Sequence, residues 1–137
     1  MTVSHFTISY ACLLVAALLP IVCAGLAKRH GFGRSRREGG YDNVNPRAWL
    51  ARQEGVSAWA QAAQANSFEA LPLFVGAVLV AHQMGANQTV ADALSVAFVT
   101  LRVIYIWTYL TGRASLRSVV WITALGVNVA LLFSGLF

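Results

Sequence analysis

Residues 63–74 read AQANSFEALPLF, and an unbroken apolar run follows them. This stretch places Glu69 inside a segment that is otherwise apolar enough to cross a membrane. A carboxylate in such a place is energetically expensive and needs a partner, so Glu69 marks a candidate functional site. Arg102 is the obvious partner, because it also lies inside an apolar segment.

The chain as a whole has the composition of an integral membrane protein. Of its 137 residues, 58% are hydrophobic and 11% are charged, whereas a soluble domain carries about a quarter charged residues. The mean hydropathy is +0.63. The net charge of +5 is concentrated between the apolar stretches, which is typical of loops in a membrane protein. We therefore expect no nucleic-acid partner.

Four apolar stretches predict four membrane-spanning helices, since each is close to or above the ~20 residues needed to cross a bilayer. They cover residues 6–27, 58–84, 90–110 and 118–137, within a single domain over residues 1–137. The predicted fold class is all-α, an integral membrane four-helix bundle. In the long first connection, residues 28–41 are basic and glycine-rich and are expected to be mobile. Asn45 and Pro46 then predict the start of a short helix.

The basic residues are distributed unevenly between the two sides of this bundle. Apart from Arg102, every Lys and Arg lies in the first or third connection or at its edge, and the N-terminal tail, second connection and C terminus have none. The positive-inside rule therefore predicts that both termini face away from the cytoplasm. Because no Lys or Arg precedes the first apolar stretch, we interpret it as a membrane span and not as a cleaved signal peptide.

Polar residues on three of the spans fall at a common depth. Asn66 and Glu69 are three positions apart and therefore share one face of the second span. Glu69 and Arg102 both lie roughly two to three turns from the cytoplasmic ends of their spans, so they could meet. The spacing predicts a polar cluster in the cytoplasmic half of the bundle, made of Asn66, Glu69, Arg102, Tyr105, Tyr109 and Arg117.

A simpler interpretation is that Glu69 and Arg102 form only a buried ion pair that fixes the register of two helices. No His and Cys residues have the spacing of a metal site, and no phosphate-binding loop or dinucleotide fingerprint is present. Cys12 and Cys23 would lie roughly 16 Å apart on one helix, too far for a disulfide.

Two motifs resemble those of a known family. The pattern AQxNxxExxPLF at residues 63–74 resembles the second-span signature of the MAPEG family, the membrane-associated proteins in eicosanoid and glutathione metabolism. The pattern RxxYxxxY at residues 102–109, followed by Arg117-Ser118, is similar to the family's third-span and fourth-span pattern. The resemblance covers about residues 45–137.

The resemblance implies a homotrimer of four-helix bundles in a bacterial inner membrane, with glutathione bound as co-substrate between subunits near the cytoplasmic side. Family enzymes act as glutathione transferases, peroxidases or isomerases on lipophilic electrophiles, so membrane lipid and a lipophilic small molecule would be the partners. By position, Arg117 would be the catalytic residue that stabilises the thiolate. The residues that bind glutathione would be Asn66, Glu69, Arg102, Tyr105 and Tyr109.

Three positions differ from the family's enzymes and leave other functions open, among them Ala70, where a polar or aromatic residue often follows the motif glutamate. Ala62 stands where well-studied members have an arginine, and Trp121 stands where they have a tyrosine. These differences favour a non-catalytic MAPEG-like protein that binds a lipid or a partner at the same cleft. A small four-span transporter that uses Glu69 as its coupling carboxylate is a third possibility. Against it, small multidrug exporters have that carboxylate in the first span, and residues 6–27 contain none.

Overall fold

The structure is a computed structural model that describes residues 5–137, and within that range all regular secondary structure is helical. The α-helices are α1 (Ile8–Lys28), α2 (Pro46–Ala51), α3 (Gly55–Gln83), α4 (Gln88–Leu110) and α5 (Ala114–Leu132). All except α2 are long and apolar enough to cross a membrane. The predicted all-α bundle of four spans is therefore confirmed.

The ends of the helices follow from local capping and turn residues. The Thr7 hydroxyl accepts a hydrogen bond from the backbone N–H of Tyr10 at 3.3 Å and begins α1, and Asn87 caps α4 in the same way. The turn between α4 and α5 contains Gly112, whose φ of +69° favours glycine. This turn is tight enough that α5 begins at Ala114, four residues before the predicted span.

Helices α3 and α4 pack against each other, and each also contacts both α1 and α5. Small side chains allow α3 to approach its neighbours closely, since Ala60, Ala63, Ala77 and Ala81 are all fully buried. We call the end of the bundle that carries the α1–α3 connection and the α4–α5 turn the basic end. The opposite end, where α1 begins and α3 ends, is the far end.

The connection between α1 and α3 is folded, in contrast to the mobility expected from its glycines. The Trp49 side chain of α2 is buried, and its indole N–H donates to the Gly39 carbonyl at 3.3 Å. The ring of Tyr41 meets it edge-on with centroids 5.3 Å apart, and the Lys28 ammonium lies 4.9 Å from the Tyr41 ring. A Cβ at Gly31 would lie 2.5 Å from the Trp49 ring. Gly31 therefore allows close packing against Trp49.

Candidate functional site

Asn66 forms hydrogen bonds with both Glu69 and Arg102, the two charged residues predicted to pair. Its Nδ2 donates to a Glu69 carboxylate oxygen at 3.3 Å, and its Oδ1 accepts a hydrogen bond from the Arg102 guanidinium at 2.9 Å. Arg102 also donates to the Ser67 hydroxyl at 3.3 Å. Within residues 5–137 no ion pair joins Glu69 directly to Arg102. The expected pair is therefore replaced by an amide bridge, since an amide can accept from a cation and donate to a carboxylate at once.

Arg102 is 3% exposed, although it lies in an apolar helix. Its guanidinium carbon is 4.4 Å from the centroid of the Tyr105 ring, one turn further along α4. A cation over the face of an aromatic ring is attracted by the ring's quadrupole, more strongly where water is excluded. The buried charge is thus stabilised by the Asn66 oxygen, the Ser67 hydroxyl and the Tyr105 ring together.

The contacts continue from α4 to α5 through two tyrosines. The rings of Tyr105 and Tyr109 meet edge to face with centroids 5.8 Å apart, and the Arg117 guanidinium carbon lies 4.2 Å from the centroid of the Tyr109 ring. All six residues predicted from the spacing are therefore in one unbroken series of contacts. We call this series the polar network; it comprises Asn66, Glu69, Arg102, Tyr105, Tyr109 and Arg117.

Two openings lie beside the polar network. The basic pocket, about 290 Å³, faces the basic end and is lined by Asn66, Tyr105, Arg117, Ser118, Trp121 and Ile122. The inner cavity, about 150 Å³, lies deeper between α3, α4 and α5. Asn66 and Trp121 line both. Glu69 and Arg102 line the inner cavity. Tyr109 lines neither opening but contacts Tyr105 and Arg117, which both line the basic pocket.

The sequence was also compared with models of protein families. The model of the MAPEG family matches residues 8–137. The chain belongs to the MAPEG family. No curated protein and no solved structure gives a significant match. The family match includes α1, which lies outside the motifs in residues 63–118. Family membership and four helices able to span a bilayer together indicate an integral membrane protein.

In this MAPEG protein Glu69 is exposed on the surface of the single subunit. It lies 14 positions after Gly55, the first residue of α3, which places it about 21 Å along the helix. Helix α3 has 29 residues and is about 43 Å long, so Glu69 lies near its middle, about four turns from the basic end and deeper than the roughly two to three turns expected. A carboxylate at that depth needs a covering polar group.

A second polar cluster at the far end was missed by the sequence analysis. Asp92 of α4 accepts hydrogen bonds from the backbone N–H and hydroxyl of Ser9 at 2.8 and 2.7 Å, and from the Gln88 amide at 2.7 Å. The hydroxyl of buried Ser95 donates to that of Ser9 at 3.1 Å. The signal was available, because Asp92 is a carboxylate inside a predicted span. Its Oδ1 joins α1 to α4, which is a structural role.

The far end is also joined through His82 of α3. Its Nε2 is 3.1 Å from the Thr7 hydroxyl, and its Nδ1 is 2.7 Å from the Val78 carbonyl. The imidazole stacks on Tyr10 with ring centroids 4.5 Å apart. Among residues 5–137 no group of three His, Cys, Asp or Glu side chains is placed to hold a metal ion. His82 therefore connects α1 to α3 at this end.

Asn128 of α5 is a further polar residue that the sequence analysis missed. It is 2% exposed and lines the inner cavity. Its Oδ1 accepts no hydrogen bond from residues 5–137. A buried polar atom without a partner costs about 1–3 kcal/mol, so this acceptor is an unusual feature of an otherwise well-satisfied bundle. The sequence offered only a weak signal, a lone amide within an apolar span.

Proposed function

We propose that this protein binds glutathione in the basic pocket and conjugates or reduces lipophilic electrophiles with it. The observation that carries the proposal is the polar network, which connects an exposed carboxylate to a half-buried arginine through direct contacts. Glutathione carries an ammonium group, two carboxylates and a thiol. The network offers Glu69 to the ammonium group and Arg117 to the thiolate, and the Tyr105 hydroxyl can donate a hydrogen bond to a carboxylate.

Arg117 is the proposed catalytic residue. It lines the basic pocket, and Tyr109 holds its guanidinium in place. A cation beside a thiol lowers the thiol's pKa, and the thiolate is the nucleophile. In conjugation, the thiolate sulfur forms a bond to the electrophilic carbon of the acceptor, and the leaving group departs with its bonding electron pair. Arg117 keeps the sulfur ionised until that attack.

The remaining residues of the network bind and position glutathione. Glu69 lines the inner cavity where it adjoins the basic pocket, and there it accepts hydrogen bonds from the ammonium group. Asn66 donates a hydrogen bond to Glu69 and lines both openings. Tyr105 lines the pocket, and its hydroxyl can donate a hydrogen bond to a peptide carbonyl or a carboxylate of glutathione. Arg102 and Tyr109 position residues that contact glutathione: Arg102 donates to Asn66, and the Tyr109 ring contacts Arg117.

We further propose that three copies assemble with the Glu69 surfaces at the subunit contacts. An exposed carboxylate at mid-span is unfavourable against lipid, and a neighbouring subunit or bound glutathione would cover it. The basic end is proposed to face the cytoplasm of a bacterial inner membrane, because positive loops remain on that side. Both termini would then lie on the opposite side.

A test uses purified protein in detergent, with glutathione added at millimolar concentrations. The wild type is expected to be stabilised against heat and to show thiolate absorbance, and Arg117→Leu is expected to lose the thiolate signal. Arg113→Leu is the matched control, since Arg113 is exposed, lies 4.7 Å from the Trp107 ring and is not part of either opening. It should retain both signals.

Two outcomes would contradict the proposal. If the wild type shows neither stabilisation nor thiolate, glutathione is not the ligand. If glutathione stabilises the protein but no thiolate forms and no conjugation is detected, the catalytic part is wrong. That second result would support the non-catalytic alternative. This alternative is already favoured by Trp121, which replaces a tyrosine of the family's enzymes and lines both openings.

A further inference from the structure

The folded α1–α3 connection forms a pocket of its own. The volume of this pocket is about 380 Å³, within the range of about 300–1,000 Å³ that is usual for ligand pockets. It is lined only by residues between 36 and 53, and we call it the connection pocket. It shares no residue with the basic pocket or the inner cavity, and it lies outside the four spanning helices.

The lining of the connection pocket is basic. Arg36, Arg37 and Arg52 line it, together with one carboxylate, that of Asp42. Arg36 is paired with Asp42 at 3.1 Å. Arg37 and Arg52 have no ion-pair partner within residues 5–137. Two guanidinium groups are therefore free to bind an anion, and the planar fork of an arginine matches the oxygens of a phosphate group.

The backbone that carries these arginines is held by hydrogen bonds. The Ser35 N–H and hydroxyl donate to the Glu38 carboxylate at 3.1 and 2.8 Å, and the Gly40 N–H donates to the Ser35 carbonyl at 2.9 Å. On the other wall, the Gln53 amide donates to the carbonyl of buried Trp49 at 3.0 Å. The two free arginines therefore stand on a folded wall.

The connection pocket lies beside the end of a membrane span. The Tyr41 N–H donates to the Gly31 carbonyl at 2.9 Å, and the Tyr41 ring centroid lies 4.9 Å from the ammonium of Lys28, the last residue of α1. The same connection exposes two large apolar side chains, Phe32 at 56% and Val44 at 70%. Basic residues next to a span, with apolar side chains exposed beside them, are typical of a segment that contacts lipid headgroups.

We propose that the connection pocket binds the phosphate group of an anionic phospholipid, with Arg37 and Arg52 as its donors. Basic residues next to a span attract anionic lipids in general, and the folded pocket adds directed hydrogen bonds to one phosphate group. This binding goes beyond the proposed thiol chemistry and does not depend on it, because no residue of the polar network lines the connection pocket.

The experiment compares short-chain phosphatidylglycerol with phosphatidylcholine, whose choline cation cancels the charge of the phosphate. Each lipid carries a dansyl label on one acyl chain, and binding to the detergent-solubilised full chain is followed by energy transfer from the protein's tryptophans. The wild type is expected to prefer phosphatidylglycerol by about tenfold to thirtyfold, which is the effect of two arginines on an anionic lipid. In Arg37→Gln combined with Arg52→Gln, the preference is expected to fall below about threefold.

Two further variants make the result specific. Arg34→Gln combined with Arg47→Gln removes the same charge from the connection, but both arginines are exposed and neither lines the pocket. It should keep most of the wild-type preference. Asp42→Asn removes the lining carboxylate that pairs with Arg36 and keeps an oxygen for the Val44 N–H. It should raise the preference by about threefold to fivefold, a gain that misfolding would not produce.

Inorganic phosphate tests whether the phosphate group comes from a soluble compound. It is added in molar excess over the labelled phosphatidylglycerol, and sodium chloride at the same ionic strength controls for screening. Inorganic phosphate is expected to displace no more lipid than sodium chloride does, because it is not concentrated in the micelle beside the pocket.

Three results would overturn the proposal. Equal binding of the two lipids by the wild type means that the pocket does not select an anion. An equal loss of preference in the two double variants means that the whole basic surface attracts the lipid, and not this pocket. Displacement by inorganic phosphate beyond the effect of sodium chloride identifies the ligand as a soluble phosphate compound.

Discussion

The stabilities of two variants can distinguish the amide bridge from a direct ion pair between Glu69 and Arg102. If Asn66 carries the contact to buried Arg102, then Asn66→Leu should destabilise the bundle more than Glu69→Gln. An ion pair between Glu69 and Arg102 predicts the reverse order, because removing one partner of a buried pair costs about 3–5 kcal/mol. The structure contains the 2.9 Å bond from Arg102 to Asn66 and no direct bond to Glu69.

The magnitude follows from the contacts that are lost. Asn66→Leu removes a hydrogen bond to a charged donor that is 3% exposed, and such bonds are worth about 1.5–3 kcal/mol. The Ser67 hydroxyl at 3.3 Å and the Tyr105 ring at 4.4 Å remain as partners of Arg102. We therefore expect Asn66→Leu to lower the free energy of unfolding by about 2–3 kcal/mol. Glu69→Gln retains an acceptor for the Asn66 amide, so it should cost less than about 1 kcal/mol.

The assay is reversible unfolding of the detergent-solubilised protein in a denaturing detergent, followed by tryptophan fluorescence and circular dichroism. Gln64→Leu is the control, since it makes the same kind of change on α3 two positions away and outside the polar network. Arg102→Leu combined with Asn66→Leu should be less destabilising than the sum of the two, because no buried cation is then left unpaired.

The reasoning would be refuted if Glu69→Gln cost more than Asn66→Leu. It would also fail if Asn66→Leu were no more harmful than Gln64→Leu, within about 0.5 kcal/mol, the usual range for a change away from any special contact. An additive double mutant would show that Asn66 and Arg102 do not interact.

The other predictions address the catalytic arginine, the far end and the folded connection. Arg117→Lys should retain part of the glutathione thiolate absorbance that Arg117→Leu loses, because the charge is kept while the planar contact with the tyrosine ring is weakened. Asp92→Asn should lower unfolding stability by about 1–2 kcal/mol, since three donors converge on the carboxylate, with glutathione binding unchanged when measured in parallel. Gly31→Val should expose the α1–α3 connection to protease, because its Cβ would lie 2.5 Å from the Trp49 ring. Gly25→Val, which meets nothing within 4 Å, should leave digestion unchanged.

The spans could be predicted because hydropathy is summed along the chain and needs no knowledge of the neighbours. The helices begin and end within a few residues of the predicted bounds, except at α5. A glycine turn allows α5 to begin at Ala114, before the predicted 118, and the helix ends at Leu132, before the predicted 137. The members of the polar network could be predicted for a related reason. Polar groups are expensive in a membrane, so those that occur at the same depth tend to meet.

The pattern of bonds within that network could not be predicted. Whether Arg102 meets Glu69 or Asn66 depends on how far α3 and α4 are rotated about their axes, and these residues of α3 are only one turn apart. A small rotation exchanges one partner for the other. The folded α1–α3 connection was missed because its glycines predict mobility locally, whereas the Trp49 ring that packs against Gly31 comes from 18 positions further along.

Hydropathy and spacing along the chain were therefore enough to predict a four-span membrane bundle with a polar cluster on its second, third and fourth spans. They were enough because the cost of polar groups in lipid is a property of each residue and of its depth. Tertiary structure alone decided that an amide stands between the two charges, that Asn128 faces a cavity, and which side chains surround that cavity. Those features depend on the rotation and spacing of packed helices, which no single segment encodes.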